Sequence, residues 1–335
     1  NVIADQTVTA NFGYTVTGVA NPSLGGSVTC APNPVTPGAT STCTANANAG
    51  YTLSGVSGCG SGSLSGNTYT TAAINADCTV TASYALNSYS IMRVSNPLAG
   101  GSVTCAPDPV NHGSGTTCTQ MPNVGYTFTS WSGACSGNGA CTPSNVTANL
   151  TITANYTLNT YAVTGAASPA QGGSVVCVPN PVPHGNTTNC TATANAGYTL
   201  SSVSGCGSGS LSGITYTTAA VTTPCSVTAI FTLNSYAVTA VASPALGGSI
   251  TCTPNPVPHG ATTTCTIMPN VGYSLGGIVS GCSSSGTLVG NAYTTTAVTA
   301  ACTLTASFSV STYTITRSAS PTLGGSVICT PNPVT

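Results

Sequence analysis

The sequence predicts a mainly β protein: a tandem, rod-like array of small, disulfide-stapled β-sheet repeats of about 75 residues each. Three observations carry this. The stretch GGSVVCVPNPVPHGNTTNC at Gly172–Cys190 returns as GGSVTCAPNPVTPGATSTC (Gly25–Cys43), GGSVTCAPDPVNHGSGTTC (Gly100–Cys118), GGSITCTPNPVPHGATTTC (Gly247–Cys265) and GGSVICTPNPVT (Gly324–Thr335). Apolar and Thr/Ser residues alternate with period two, while Gly and Pro interrupt every window long enough for a helix. The 17 cysteines recur at set places in the repeat, which points to an oxidising compartment.

Tyr14, Tyr89, Tyr161, Tyr236 and Tyr313 open successive copies. Residues 13–87, 88–159, 160–234 and 235–311 are thus four whole repeats. Residues 1–12 read as the end of a preceding repeat, because ADQTVTANF copies ADCTVTASY at Ala76–Tyr84, and residues 312–335 read as the start of a following one.

Within a repeat, Tyr161-Ala-Val-Thr and its copies form the opening strand. Gly-Gly is read as a tight turn and Ser-Val-Val-Cys as a short strand. Pro-Asn-Pro-Val-x-x-Gly is a loop, since both prolines lack a donor. The second Cys starts a Thr-rich returning strand. GYTLSSVSGC (Gly197–Cys206) supplies another strand, with Tyr198 and Leu200 inward. The closing strand turns Cys78, Val80, Ala82 and Tyr84 inward and Thr79, Thr81 and Ser83 outward, the alternation of a half-buried antiparallel strand. Its copies place Leu150/Ile152/Ala154/Tyr156, Cys225/Val227/Ala229/Phe231 and Cys302/Leu304/Ala306/Phe308 on that inner face. The join Phe231–Tyr236 has neither Gly nor Pro, so neighbouring repeats gain little freedom to reorient.

The cysteines sort into two pairs per repeat. Cys30/Cys43, Cys105/Cys118, Cys177/Cys190 and Cys252/Cys265 share one spacing. The second pairs are Cys59/Cys78, Cys135/Cys141, Cys206/Cys225 and Cys282/Cys302. Repeat two has Leu150 where the others have a strand Cys, and gains Cys141 in the loop near Cys135, the exchange that a 59–78 type bridge predicts. Cys329 is unpaired in this stretch, its partner expected about 13 residues further on by the spacing of the other copies. Bridges between repeats or between chains are the alternative scheme.

Charged residues are 1% of the chain, and the net charge is -1. There is no Lys and no Glu; the charges are Arg93, Arg317, Asp5, Asp77 and Asp108. Such a surface offers nothing to nucleic acid or an anionic membrane. No run of about 20 apolar residues is present to span a bilayer. Ser, Thr and Asn must make the surface, which suits an extracellular or cell-surface protein that associates or is glycosylated. Without Lys, Lys–Asn cross-links are impossible, so disulfides supply the covalent reinforcement.

At GYTFTSWSGACSGNGACTPSNVTANLTITANY (Gly125–Tyr156) the chain resembles the divergent internalin-B-type B repeats of bacterial surface proteins: Gly-Tyr-x-Phe, Trp-Ser-Gly, and a closing Thr-Ala-x-aromatic. The GGSV element and the Tyr-x-Val-Thr strand fit as well, and the likeness spans all four repeats. Trp131 is kept in repeat two alone; Val56, Val203 and Val279 are read as its replacements, with a one-residue insertion at Ile278-Val279. The resemblance implies β-grasp-like or sandwich-like modules serving as stalks, adhesin segments or fibre components.

Candidate sites are few. His112, His184 and His259 share one repeat position, held by Pro37 in repeat one, and are read as loop residues without a ligand. Asp108 is placed to hydrogen-bond within that loop, near His112. The carboxylates lie in different repeats and no Ser-His-acid set recurs, so no catalytic residue, cofactor site or metal site is assigned, and strings such as Gly60-Ser-Gly-Ser-Leu are read as turns. Tyr51, Tyr69, Tyr84, Tyr126, Trp131, Tyr198, Tyr216, Tyr273 and Tyr293 are read as core rather than sugar-stacking residues. Asn145-Val-Thr, Asn149-Leu-Thr, Asn155-Tyr-Thr and Asn186-Thr-Thr fit the N-glycosylation acceptor pattern. The expected function is structural: a segment of a secreted bacterial fibre, sheath or surface stalk that assembles with itself, the end half-repeats docking with neighbouring chains. An adhesin stalk or glycan-binding module is the alternative.

Overall fold

The computed structural model describes residues 3–10, 12–282, 285–321 and 324–335. The chain divides into two units, Asn1–Asn159 and Thr160–Thr335, with repeats one and two in the first and three and four in the second.

In repeat one the alternating closing strand becomes the centre of a sheet. The strands are β1 (Val16–Asn21), β2 (Gly26–Ala31), β3 (Thr42–Ala47), β4 (Tyr51–Gly58), β5 (Ser63–Ser65), β6 (Thr68–Thr70) and β7 (Cys78–Leu86). β7 pairs antiparallel with β4 but parallel with β1, so the purely antiparallel expectation is corrected to a mixed sheet. The parallel pair is possible because the whole second sheet lies between β1 and β7 in the chain, a crossover of ample length. That second sheet is antiparallel, in the order β2-β3-β6-β5. The inner faces share a core of Val16, Val35, Cys43, Tyr69, Ile74 and Val80, continued by Ala45, Ala82 and Tyr84, which makes the module sandwich-like. Repeats three and four have the same strand order. Among the described residues the helical elements are 3-10 turns of three residues.

β4 owes its inward face to a bulge. The register with β7 shifts between Leu53 and Gly55, and the extra residue brings Tyr51, Leu53 and Val56 onto one core. The same shift recurs at Phe128/Ser130, Leu200/Ser202 and Leu275/Gly277. It fixes the counterparts of Trp131 as Val56, Val203 and Ile278, the residues opposite Ala154, Ala82, Ala229 and Ala306 in their ladders. Ile278, not Val279, therefore holds that position in repeat four, and the inserted residue falls after it.

The Gly-Gly pair is more than a turn. Gly25 ends a 3-10 turn, its N–H donating to Pro22 O at 2.8 Å, and Gly26 begins β2 in extended geometry. The ring of Tyr84 lies flat across both: a Cβ on Gly25 would be 2.6 Å from Tyr84 Cβ, and one on Gly26 2.5 Å from its Cζ. The Tyr84 hydroxyl then donates to Ser27 O at 2.9 Å. Phe231 and Phe308 cover the same glycine pair in repeats three and four.

The string read as a turn, Gly60-Ser-Gly-Ser-Leu, leads into the β5–β6 hairpin, with Ser65 opposite Thr68 across Gly66-Asn67. Gly66 has φ +61, the left-handed conformation that a two-residue hairpin turn needs. Tyr69 on β6 is buried, donating its hydroxyl to Gly58 O at 2.8 Å and accepting from Gly62 N at 3.1 Å. Repeat two lacks this hairpin. Its second sheet has the two strands Gly101–Ala106 and Thr117–Pro122, and Trp131 fills the core instead, Nε1 donating to Gly139 O at 3.0 Å.

At the ends, residues 3–10 are exposed and form no strand. The strand they copy is held between two ladder partners, and neither is paired with them. In the C-terminal stretch Tyr313 and Val334 form an isolated bridge.

Candidate functional site: staples, clamps and the joint between repeats

Eight disulfides are present: Cys30–Cys43, Cys59–Cys78, Cys105–Cys118, Cys135–Cys141, Cys177–Cys190, Cys206–Cys225, Cys252–Cys265 and Cys282–Cys302. Cys30 and Cys43 face each other directly in the β2–β3 ladder, their Cα atoms 3.9 Å apart. Cys59–Cys78 ties the loop after β4 to the start of β7. Each closes a short loop, for which unfolded-state entropy alone gives about 3 kcal/mol, a large contribution to a module with so small a core. Cys329 is the free cysteine among the described residues.

The Pro-Asn-Pro loop works as a clamp on the opening strand. Asn33 Oδ1 accepts from Val16 N at 3.0 Å and its Nδ2 donates to Val16 O at 2.8 Å. Asn180, Asn255 and Asn332 hold Val163, Val238 and Ile315 in the same way. In repeat two the residue is Asp108. One carboxylate oxygen accepts from Ile91 N at 3.0 Å, and the other lies 3.6 Å from Arg93 Nη2. The hydrogen bond expected of Asp108 within its own loop gives way to these contacts with the opening strand. Asp77 caps a strand similarly, accepting from Thr15 N at 2.7 Å.

His112 instead serves the joint between repeats one and two. Asn87, the residue between β7 and the next opening strand, donates its N–H to Gly50 O at 2.8 Å and accepts from His112 N at 2.9 Å. Its side chain is fixed by Thr52 Oγ1, which donates to Asn87 Oδ1 at 2.7 Å. Ser88–Tyr89 pairs antiparallel with Val110–Asn111. The imidazole lies 6.0 Å from the Tyr89 ring, Nδ1 3.2 Å from its hydroxyl. Gly50 has φ +84, and a Cβ there would run into the His112 ring. Repeats three and four are joined by the same three bonds to the bridging asparagine: Asn234 N to Gly197 O at 2.8 Å, His259 N to Asn234 O at 2.8 Å, and Thr199 Oγ1 to Asn234 Oδ1 at 2.6 Å. Unlike His112, His259 leaves Nδ1 without a partner among the described residues. The His184 ring packs tilted against Tyr161, the centroids 5.8 Å apart. Among the described residues no three His, Cys, Asp or Glu gather as metal ligands would.

Fold and contacts together define a class: small β modules, each closed by its own disulfides, with one bridging asparagine joining repeats one and two and another joining repeats three and four. The chain belongs to the Divergent InlB B-repeat domain family, which matches residues 14–88, 94–160, 162–235 and 236–312. No curated protein matches the sequence. Among solved structures it is similar to one titled "The Bacillus anthracis TIE protein", at 8% identity and a TM-score of 0.37, over 81% of this chain and 59% of that one. Tandem B repeats and many disulfides fit a surface or extracellular repeat protein. Among the described residues no helix is long and apolar enough to cross a membrane.

Proposed function

We propose that the chain is a force-bearing segment of a secreted fibre, sheath or surface stalk, without catalytic activity of its own. The observation that carries this reading is the joint: the last strand of one repeat and the first of the next are separated by a single residue, Asn87 or Asn234, whose backbone bonds to both repeats. A chain that transmits tension gains from such joints, because little slack must be drawn out before strands are loaded. The partner is the same chain, through uncharged Thr-rich faces and the strand edges left open in each small sheet. Burial of Tyr69, Trp131, Tyr216 and Tyr293 in the core supports packing over sugar stacking as the role of these rings. Negative-stain or cryo-electron microscopy of the native material tests the proposal. Filaments, sheaths or regular surface stalks are expected; isolated monomers alone would contradict it.

A further inference from the structure

The acceptor pattern Asn-x-Ser/Thr occurs at Asn145, Asn149, Asn155 and Asn186, and also at Asn189-Cys190-Thr191. The fold sorts these five by what their side-chain amides already do. Asn155 is committed at both ends: its Oδ1 accepts from Asn96 Nδ2 at 3.0 Å, and its Nδ2 reaches Ser130 O at 3.3 Å and Ser132 Oγ at 3.1 Å. Asn149 Oδ1 holds Ser90 N at 3.0 Å, and Asn189, within a ladder, accepts from Thr217 Oγ1 at 2.8 Å. Asn145 and Asn186 differ. Both are exposed loop residues, and among the described residues neither amide makes a side-chain hydrogen bond.

We propose that Asn145 and Asn186 carry N-linked glycans. The neighbours show when the sugar is added. Val146 is buried and its N–H and C=O are bonded to Ser114 and Gly113, while Thr188 is buried with its hydroxyl donated to Pro179 O at 2.7 Å. Part of each acceptor triplet is held in the finished fold, so transfer precedes folding; a sugar on Nδ2 is then excluded at Asn155, whose Nδ2 is engaged, and displaces no contact at Asn145 and Asn186, where neither amide atom is. In the transfer, Nδ2 forms a bond to the anomeric carbon of a phosphate-linked sugar donor. The sugar–phosphate C–O bond breaks, the phosphate leaves with the electron pair, and the amide gives up one proton. The surface gives the modification a purpose: with 1% charged residues, and with Leu98, Met121 and Val124 exposed on repeat two, bound sugar supplies the hydration and spacing that charges supply elsewhere.

The test is peptide mapping by mass spectrometry of protein purified from its native source, reduced and cut with chymotrypsin. Sugar-derived mass is expected on the peptides bearing Asn145 and Asn186, with conversion of those residues to Asp when the glycan is removed by an amidase. Unmodified asparagine at either position overturns the assignment there. Sugar on Asn155 overturns the sorting argument as a whole.

Discussion

The imidazole of His112 occupies the space that any side chain on Gly50 would need. The two residues belong to different repeats, and the contact recurs between His259 and Gly197. A loop histidine and a turn glycine, neither distinctive alone, thus form the lock of the joint, with Asn87 or Asn234 bonded to both sides.

Gly50→Ala should open this joint while leaving each repeat folded. Gly38 is the control, because it shares φ +84 but has nothing within 4 Å of a Cβ. Both substitutions carry the left-handed penalty of about 1–2 kcal/mol; only Gly50→Ala also displaces His112. Amide hydrogen exchange at Asn87 and His112 should quicken by about tenfold or more in that variant, as a loss of about 1.4 kcal/mol would give. In Gly38→Ala those two amides should keep their protection.

The asparagine clamp can be tested against its natural exception. Asn180→Ala leaves Val163 N–H and C=O without their partners and should destabilise repeat three by about 2 kcal/mol. Asp108→Asn should change stability by less than about 1 kcal/mol, because the Arg93 side chain it loses is 46% exposed. Denaturant unfolding of the full chain measures both.

The alternation of Val80, Ala82 and Tyr84, the repeat boundaries and the clustering of cysteines were legible because each depends on local spacing. Other features depend on contacts distant in sequence. Nothing near Cys78–Leu86 says that one neighbour runs parallel, since β1 lies a whole sheet earlier in the chain. The bulge at Leu53/Gly55 hides in a strand whose apolar phase merely slips by one. In repeat four the inserted residue makes Val279-Ser-Gly spell the Val-Ser-Gly of Val56 and Val203, so the sequence points to Val279 where the ladder places Ile278. Gly-Gly reads as a turn until Tyr84 is seen lying on it. The role of His112 needed the preceding repeat. A signal was present: His recurs at one position, always a fixed distance after the Tyr its ring packs against.

Burial pushes the phenols of Tyr84 and Tyr156 above their ordinary value near 10, with a backbone hydrogen bond from Met121 opposing the shift in Tyr156. A raised value means that the fold holds these protons more tightly than the unfolded chain does. Their contribution is therefore fully present below pH about 10 and is lost as pH rises above it. Tyr84→Phe should flatten this alkaline loss and cost about 1 kcal/mol at neutral pH for the bond to Ser27, whereas Tyr84→Ala should cost about 3–5 kcal/mol. Unfolding curves between neutral and alkaline pH distinguish the two.

The most direct test of a stapled, force-bearing chain is single-molecule extension with and without reductant. Cys30–Cys43 and Cys59–Cys78 span separations of 13 and 19 residues, so at about 3.5 Å per residue they hide about 4–5 nm and about 6–7 nm of contour. Unfolding steps of repeat one should lengthen by about the sum of these lengths once the bridges are reduced. Steps of equal length under both conditions would contradict the account.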